Sequence, residues 1–167
     1  MDQPISNIDI LKKLKGKTNV VFYEDLHKYT DINQLLKFNS CVLLYKVQPS
    51  FGHWTALIRN NFGIEFFDPY GEKPDETKSV IDKYFLQQTN QYENYLCNLL
   101  YKASFKTPIE FNHFKFQKKA KNINTCGKHV IARILYKDLS LEDYNKFITS
   151  QNMNPDLFVT KLYQSII

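Results

Sequence analysis

The sequence predicts a mixed α+β fold in which strands occupy the first half of the chain and helices dominate the second. The run from Cys41 to Val47 is rich in β-branched and aromatic residues, which is typical of a central strand. Two further runs, Trp54 to Arg59 and Phe62 to Asp68, flank the turn-forming pair Asn60-Asn61 and predict a β-hairpin. A long helical pattern begins near Cys126. Strands grouped before helices are typical of α+β domains.

Short elements precede the predicted hairpin. Ile8 to Leu14 has the pattern of an amphipathic helix that stops at Gly16, and Asn19 to Tyr23 is expected to be a brief strand. Asp31 can cap a second helix. The apolar side of that helix would hold Ile32, Leu35 and Leu36. Pro49 to Gly52 then ends the strand that starts at Cys41.

The register of the hairpin decides how His53 and Asp68 can meet. If Asn60 and Asn61 alone form the loop, His53 lies directly opposite Asp68, with the two Cβ atoms about 5 Å apart. A four-residue turn ending at Gly63 would instead pair Thr55 with Asp68 and leave His53 a diagonal neighbour. Both registers keep the imidazole within hydrogen-bonding reach of the carboxylate.

The segments after the hairpin are mainly helical. Predicted helices cover Asp75 to Gln88, Gln91 to Lys102, Cys126 to Lys137, Leu141 to Ser150 and Pro155 to Ile167, and Ile109 to Phe116 alternates enough for another strand. The helix that begins near Cys126 is expected to be buried, because it carries an apolar stripe of Val130, Ile131, Ile134 and Leu135. Asn124 or Thr125 provides its N-cap signal. Cys126 therefore falls in the first turn, where the positive end of the helix dipole favours a thiolate.

Composition bounds the domain organisation and the class of protein. With 167 residues, the chain is expected to form one domain, residues 1–167. Three widely spaced cysteines without a Cys-x-x-Cys pair favour a reducing, intracellular compartment. A leader or membrane-spanning pattern is lacking, so a soluble protein is expected. The formal net charge of +5 comes mostly from lysine, a weak signal for nucleic acid, although Lys115 to Lys121 could attract polyanions.

The chain order His53, Asp68, Cys126 indicates a cysteine nucleophile served by a base and an orienting carboxylate. A thiol attacks well only as a thiolate, so it needs an imidazole to take its proton and a third group to fix the imidazole tautomer. The papain order, with cysteine before histidine, is excluded because Cys41 lies in an apolar run. Cys126 could alternatively be a core cysteine, or half of a metal site with His129. Two ligands do not make a zinc site, so no metal is predicted.

An acyl-transfer site also needs donors for the oxyanion. The Cys126 backbone N–H is one candidate, and Gly127 would let a substrate backbone approach closely because it has no Cβ. Gln117 is the best upstream side-chain amide for the second donor. Asn122 and Asn124 remain alternatives.

Together these strings resemble the adenain and ubiquitin-like-protein-protease superfamily of cysteine peptidases, most closely the maturation proteases of large DNA viruses, virophages and Polinton-type elements. The strings are Gly52-His53-Trp54, Phe67-Asp68-Pro69-Tyr70-Gly71, Gln117 and Thr125-Cys126-Gly127-Lys128-His129. The resemblance implies an antiparallel-rich sheet packed against the helix that carries the cysteine. It further implies that Cys126 is the nucleophile, His53 the general base and then acid, and Asp68 the orienter.

Two supporting roles are also implied by the resemblance. Trp54 matches a tryptophan that packs against the catalytic imidazole, and Gln117 matches the oxyanion glutamine. Gln117 lies nine residues before Cys126, somewhat farther than the family glutamine, so a short loop insertion is implied. Neither a metal nor a cofactor is expected.

The expected function is that of a cysteine endopeptidase that processes viral capsid precursors at small glycine-containing sites during virion maturation. Such an enzyme would be a monomer without membrane contacts, would act in the virion and host cell cytoplasm, and could use DNA or a peptide as activator. One alternative is an isopeptidase that removes ubiquitin or SUMO-like modifiers from host proteins. An alternative of another class is a catalytically decayed, basic nucleic-acid-binding or scaffold protein.

Overall fold

The computed structural model describes residues 3–167, and within that range the chain forms a five-stranded sheet with helices on both faces. The strands are β1 (Asn19–Phe22), β2 (Ser40–Gln48), β3 (Phe51–Asn60), β4 (Gly63–Phe67) and β5 (Ile109–Phe111). The α-helices are α1 (Asn7–Lys13), α2 (Lys83–Gln88), α3 (Tyr95–Ala103), α4 (Cys126–Leu135), α5 (Leu141–Thr149) and α6 (Pro155–Ser165). Short 3₁₀ helices cover Tyr23–Lys28, Ile32–Gln34 and Glu76–Val80. No helix in residues 3–167 combines the length and apolarity of a membrane span.

The strands follow one another across the sheet in chain order. β2, β3 and β4 form an antiparallel meander, whereas β1 pairs with β2 and β5 with β4 in parallel. The predicted mixed α+β fold with a central sheet is therefore confirmed.

Side chains along each strand point alternately to opposite faces, so the apolar core is divided between the two faces of the sheet. In β3, Leu57 packs with α3 and the first 3₁₀ helices, whereas Ala56 and Ile58 pack with α4. The face towards α4 also receives side chains from α1 and α5. The predicted apolar stripe of the Cys126 helix is mostly buried there, with Val130, Ile131 and Ile134 in the core and Leu135 exposed.

A buried ion pair holds α4 against β4. Arg133 donates to both carboxylate oxygens of Glu65, from Nε at 2.9 Å and from Nη2 at 2.7 Å. Its remaining donors reach the carbonyl oxygens of Tyr136 and Leu139. Neither charged side chain is more than 1% exposed, and the bidentate geometry compensates their desolvation. The pair therefore fixes the helix that begins with Cys126.

The hairpin adopts the second of the two predicted registers. Asn60 pairs with Gly63, so Asn61 and Phe62 form the loop, and Ala56 pairs with Phe67. Continuing this register would bring Thr55 opposite Asp68, which leaves His53 diagonal to the carboxylate. The directly opposed arrangement is wrong, because the loop lies one residue later than Asn60-Asn61.

The prediction of one helix over Asp75 to Gln88 is wrong. A 3₁₀ helix and α2 occupy this segment, separated at Ile81 and Asp82. Lys78 in this segment is 6% exposed and donates from Nζ to the carbonyl oxygens of Gln91 and Glu93. Asp82 then accepts a hydrogen bond from the Phe85 N–H and starts α2 as its N-cap. Burial of one lysine and a new cap therefore interrupt the helix.

Two other elements are shorter than predicted. Asp31 does cap a helix, but that helix is a single 3₁₀ turn, because the chain must reach β2 at Ser40. The strand expected over Ile109 to Phe116 ends at Phe111. Beyond that point the Asn112 side chain, rather than the backbone, bonds to the backbone at Asp68.

Candidate active site

Three elements bring the predicted triad residues together at one end of the sheet. His53 lies in β3, Asp68 directly follows β4, and Cys126 is the first residue of α4. His53 Nε2 is 2.8 Å from Asp68 Oδ1, and Cys126 lies close enough to the same imidazole to raise its pKa. The order of groups is carboxylate, imidazole, thiol, which is the order needed to activate a thiol.

The electrostatics favour a protonated His53. Burial alone lowers the pKa of the imidazole, but the charge and hydrogen bond of Asp68 outweigh burial, and Cys126 adds to them. Together they raise the pKa of His53 to about 10. A protonated imidazole beside the thiol stabilises the thiolate, because the two groups then carry opposite charges.

Asp68 is completely buried and is held by several polar contacts. The Tyr70 N–H donates to Oδ1 at 2.8 Å, and the Thr77 hydroxyl lies 3.4 Å from Oδ2. Asn112 pairs with the backbone of Asp68 in both directions, accepting from its N–H at 2.9 Å and donating to its carbonyl oxygen at 2.6 Å. These contacts fix the carboxylate that faces His53.

Sequence reasoning did not select Tyr70, Thr77 or Asn112. Tyr70 stacks on the His53 imidazole, with ring centroids 4.7 Å apart and planes inclined by 12°. The sequence signal for this contact is that Tyr70 lies two residues after Asp68. The side chain of a turn residue at this position can fold over the imidazole that pairs with the carboxylate. Asn112 lies 44 residues from Asp68 in sequence, so no local pattern indicates that contact.

Trp54 lines the groove that also holds His53 and Cys126. The resemblance implies packing against His53, but the stacked ring among the described residues is that of Tyr70. Trp54 is 6% exposed, packs in the core with α4, and donates from Nε1 to the Ile5 carbonyl oxygen at 3.0 Å. It thereby attaches the segment before α1 to the site.

Ile5 and Trp54 pack closely against Gly127. A Cβ built at this position would stand 2.5 Å from Ile5 Cγ1 and 3.1 Å from Trp54 Cδ1. The space beside the helix backbone is therefore occupied by the protein's own segment before α1. The predicted close approach of a substrate backbone at Gly127 stays a prediction.

Gln117 lies beside Cys126 in the same groove, as the oxyanion assignment requires. It is 4% exposed, its N–H donates to the Pro69 carbonyl oxygen, and its Nε2 donates to the Ile123 carbonyl oxygen at 3.2 Å. A primary amide has a second N–H for an oxyanion. Of the two alternatives, Asn124 also lines the groove, whereas Asn122 is exposed and lies outside its lining.

A groove of about 840 Å³ runs past the thiol. Its polar lining includes His53, Gln117 and Lys119. Its apolar lining includes Phe22, Leu44, Val47, Phe51 and Val80. An extended peptide could therefore lie in the groove with its apolar side chains against these residues.

The other two cysteines lack a comparable environment. Burial raises the pKa of the Cys41 thiol to about 12, and burial together with Asp75 does the same for Cys97. His129, considered as a second metal ligand with Cys126, is fully buried, and its Nε2 lies 2.9 Å from Asp156 Oδ1. Within residues 3–167, no cluster of three His, Cys, Asp or Glu side chains is arranged to hold a metal ion.

Comparison with known proteins gives one relative in sequence and several in structure. No protein-family model matches the chain. The sequence is 37% identical over 164 residues to uncharacterized protein V9 of Sputnik virophage, covering 95% of this chain and 93% of V9. The pS273R protease of ASFV superposes with a TM-score of 0.51 at 14% identity, covering 100% of this chain and 69% of the protease.

Two further structures superpose less closely. ChlaDub1 of Chlamydia trachomatis gives a TM-score of 0.44 at 15% identity, covering 98% of this chain and 78% of its own. The Ulp1 protease domain of yeast, solved with the SUMO ortholog Smt3, gives 0.40 at 15% identity, covering 97% and 79%. The likeness to the ASFV protease shows a cysteine-protease-like fold, as the resemblance implied. Since the similarity to V9 spans nearly all of both sequences, the chain belongs to the same protein family as V9 of Sputnik virophage.

Proposed function

We propose that the chain is a cysteine endopeptidase formed by one domain, residues 1–167, with Cys126 as nucleophile, His53 as general base and acid, and Asp68 as orienter. The observation that carries the proposal is the buried 2.8 Å contact between His53 and Asp68, with Cys126 beside the same ring in one groove. The raised pKa of Cys41 and Cys97 supports Cys126 as the nucleophile, because those two thiols stay protonated at neutral pH.

The reaction follows from this geometry. The Cys126 thiolate adds to the scissile carbonyl carbon, and the Cys126 N–H and the Gln117 amide hold the resulting oxyanion. Protonated His53 gives its proton to the leaving amine as the carbon–nitrogen bond breaks and a thioester remains. Water then loses a proton to His53 and attacks the thioester. The carboxylic acid leaves and the thiolate forms again.

The proposed substrates are viral structural precursors cut at small glycine-containing sites. The virophage relative supports a viral setting, and the groove beside Cys126 is large enough for an extended peptide. We place the activity in the host cell cytoplasm and the virion, and expect the enzyme to act as a monomer. DNA or a short peptide is proposed as an activator, because Lys119 and Lys121 border the groove.

The test is cleavage of capsid-precursor proteins and glycine-containing peptides by the purified chain, with and without DNA at increasing salt. Cys126→Ala should abolish cleavage, and Cys97→Ala is the matched control that should retain it. Equal activity of wild type and Cys126→Ala would contradict the proposal. Reaction only with ubiquitin-like modifiers bearing a C-terminal electrophile would favour the isopeptidase alternative. Salt-sensitive DNA binding with an unreactive Cys126 would favour the decayed scaffold.

A further inference from the structure

A buried polar cluster lies directly behind Cys126 and has no role in the reaction described above. We call it the Asp156 cluster: the Asp156 carboxylate in α6, the Thr125 hydroxyl, the His129 imidazole and the Lys118 backbone N–H. Thr125 Oγ1 donates to Asp156 Oδ1 at 2.6 Å, His129 Nε2 lies 2.9 Å from the same oxygen, and the Lys118 N–H donates to Oδ2 at 3.1 Å. Asp156 is 4% exposed, and Thr125 and His129 are fully buried.

The charge states make this cluster a single anion with three donors. Burial raises the pKa of Asp156, but the hydrogen bonds from His129, Thr125 and the Lys118 N–H outweigh it and lower the pKa overall. Burial lowers the pKa of His129, so its ring is neutral and donates from Nε2. One carboxylate therefore receives one bond from each of three separate groups.

The positions of those groups in the chain connect the cluster to catalysis. Lys118 directly follows Gln117, and Thr125 directly precedes Cys126. The two proposed oxyanion donors are thus each one residue away from a bond to Asp156. Thr125 also makes no side-chain cap bond at the start of α4, since its hydroxyl is directed to Asp156.

We propose that Asp156 is a positioning residue that fixes the Gln117 segment against the start of α4, so that the two oxyanion donors keep their separation. The proposal rests on the proposed peptidase function. The donors must stay in place to within a fraction of an ångström, because an oxyanion binds well only at hydrogen-bond distance from both. Asp156 touches neither substrate nor thiol, so its effect on the reaction passes through Gln117 and the Cys126 N–H.

The test is Asp156→Asn, which preserves size but replaces one acceptor oxygen with a donor. An asparagine that keeps its oxygen towards Thr125 and His129 directs an N–H at the Lys118 N–H, and because two donors cannot pair, the Lys118 side separates. We expect kcat/KM on glycine-containing peptides to fall about 10²- to 10³-fold, mainly in kcat. Affinity for a peptide aldehyde, whose hemithioacetal oxygen occupies the oxyanion position, should fall in parallel.

A second readout separates positioning from loss of structure. Alkylation of Cys126 by iodoacetamide, followed residue by residue with mass spectrometry, depends on the thiolate and His53 but not on an oxyanion. We expect its rate in Asp156→Asn to stay within about twofold of wild type, since the His53 contacts are unchanged. Asp75→Asn is the matched control, because the Asp75 side chain is only 5% exposed and accepts from the Tyr23 hydroxyl and the Cys97 N–H, away from α4. It should lower Tm without changing kcat/KM of the folded enzyme.

The proposal is overturned if Asp156→Asn keeps wild-type kcat and aldehyde affinity while its Tm falls as in Asp75→Asn. Should Asp156→Asn not fold, the pair Thr125→Val and Thr125→Ser replaces it. Thr125→Val should lose aldehyde affinity, and Thr125→Ser should regain most of it because the hydroxyl is restored. Equal affinity in these two variants would also overturn the proposal. Failure of the peptidase function itself would be seen separately, as a wild-type chain that neither cleaves peptides nor alkylates at Cys126.

Discussion

At the scale of single residues, the charge of His53 depends on Asp68. The carboxylate contact and Cys126 together raise the pKa of the imidazole to about 10, against the opposing effect of burial. The folded-state pKa of His53 is above the unfolded value of about 6.5, so the contact with Asp68 stabilises the folded protein fully below pH 6.5. This contribution to stability is lost as the pH rises through about 10. The catalytic rate should also fall as the pH rises through this range, because the leaving amine takes its proton from the protonated ring.

Replacing Asp68 with asparagine tests this dependence. We expect the pKa of His53 to fall, because burial then acts without the opposing charge, and the alkaline limb of kcat should move to lower pH. Activity at neutral pH should drop about 10²- to 10⁴-fold, since the ring also loses its orienting acceptor. NMR titration of the His53 ring and kcat against pH provide the measurements. Asp138→Asn, a change at an exposed carboxylate, should leave both curves in place.

Tyr144 offers a second prediction at this scale. Its ring is fully buried beneath Arg133, and its hydroxyl has no hydrogen-bond partner among residues 3–167. A buried hydroxyl without a partner costs free energy, so Tyr144→Phe should raise the free energy of unfolding by about 0.5–1 kcal/mol. Tyr23→Phe is the control, because the Tyr23 hydroxyl donates to Asp75 at 2.6 Å. Tyr23→Phe should lower the free energy of unfolding measured in urea. Equal effects of Tyr23→Phe and Tyr144→Phe would contradict this explanation.

At the scale of elements, local patterns predicted those segments whose own residues determine their structure. The hairpin and the Cys126 helix depend on alternation, turn residues and an apolar stripe, so both were predicted to within a few residues. The helix over Asp75 to Gln88 was not, because Lys78 binds carbonyl oxygens far along the chain. Asn112 and Asp156 were likewise missed, since their partners lie 44 and 31 residues away.

The attachment of α4 to β4 depends on one charged pair. Arg133→Met leaves the Glu65 carboxylate buried without its bidentate partner, so the free energy of unfolding should fall by about 3–5 kcal/mol. Adding Glu65→Leu should recover most of that loss, because the uncompensated charge is then removed. Urea unfolding of both variants is the measurement. If Arg133→Met alone lowers the free energy of unfolding by less than about 1 kcal/mol, the apolar core rather than the ion pair attaches α4 to β4.

At the scale of the whole molecule, the first and last described segments meet. Lys13 of α1 donates from Nζ to the Ile166 carbonyl oxygen at 2.7 Å, just beyond α6. The segment before α1 reaches the groove, where Ile5 covers Gly127 and is held by the Trp54 indole. Residues far apart in sequence thus close one wall of the groove, an arrangement that strand and helix patterns do not predict.

Trp54→Phe tests how firmly that wall is held. The substitution keeps an aromatic ring in the core but removes the N–H that binds the Ile5 carbonyl oxygen. Loss of one hydrogen bond of about 1 kcal/mol should speed amide hydrogen exchange in residues 5–10 about fivefold, through easier local opening. Exchange in β2 and β3 should stay close to wild type, because their ladder is unchanged. Tyr144→Phe, which alters a buried aromatic residue without touching this segment, serves as the control. Uniform acceleration across the sheet in Trp54→Phe would mean that the indole stabilises the core rather than the wall.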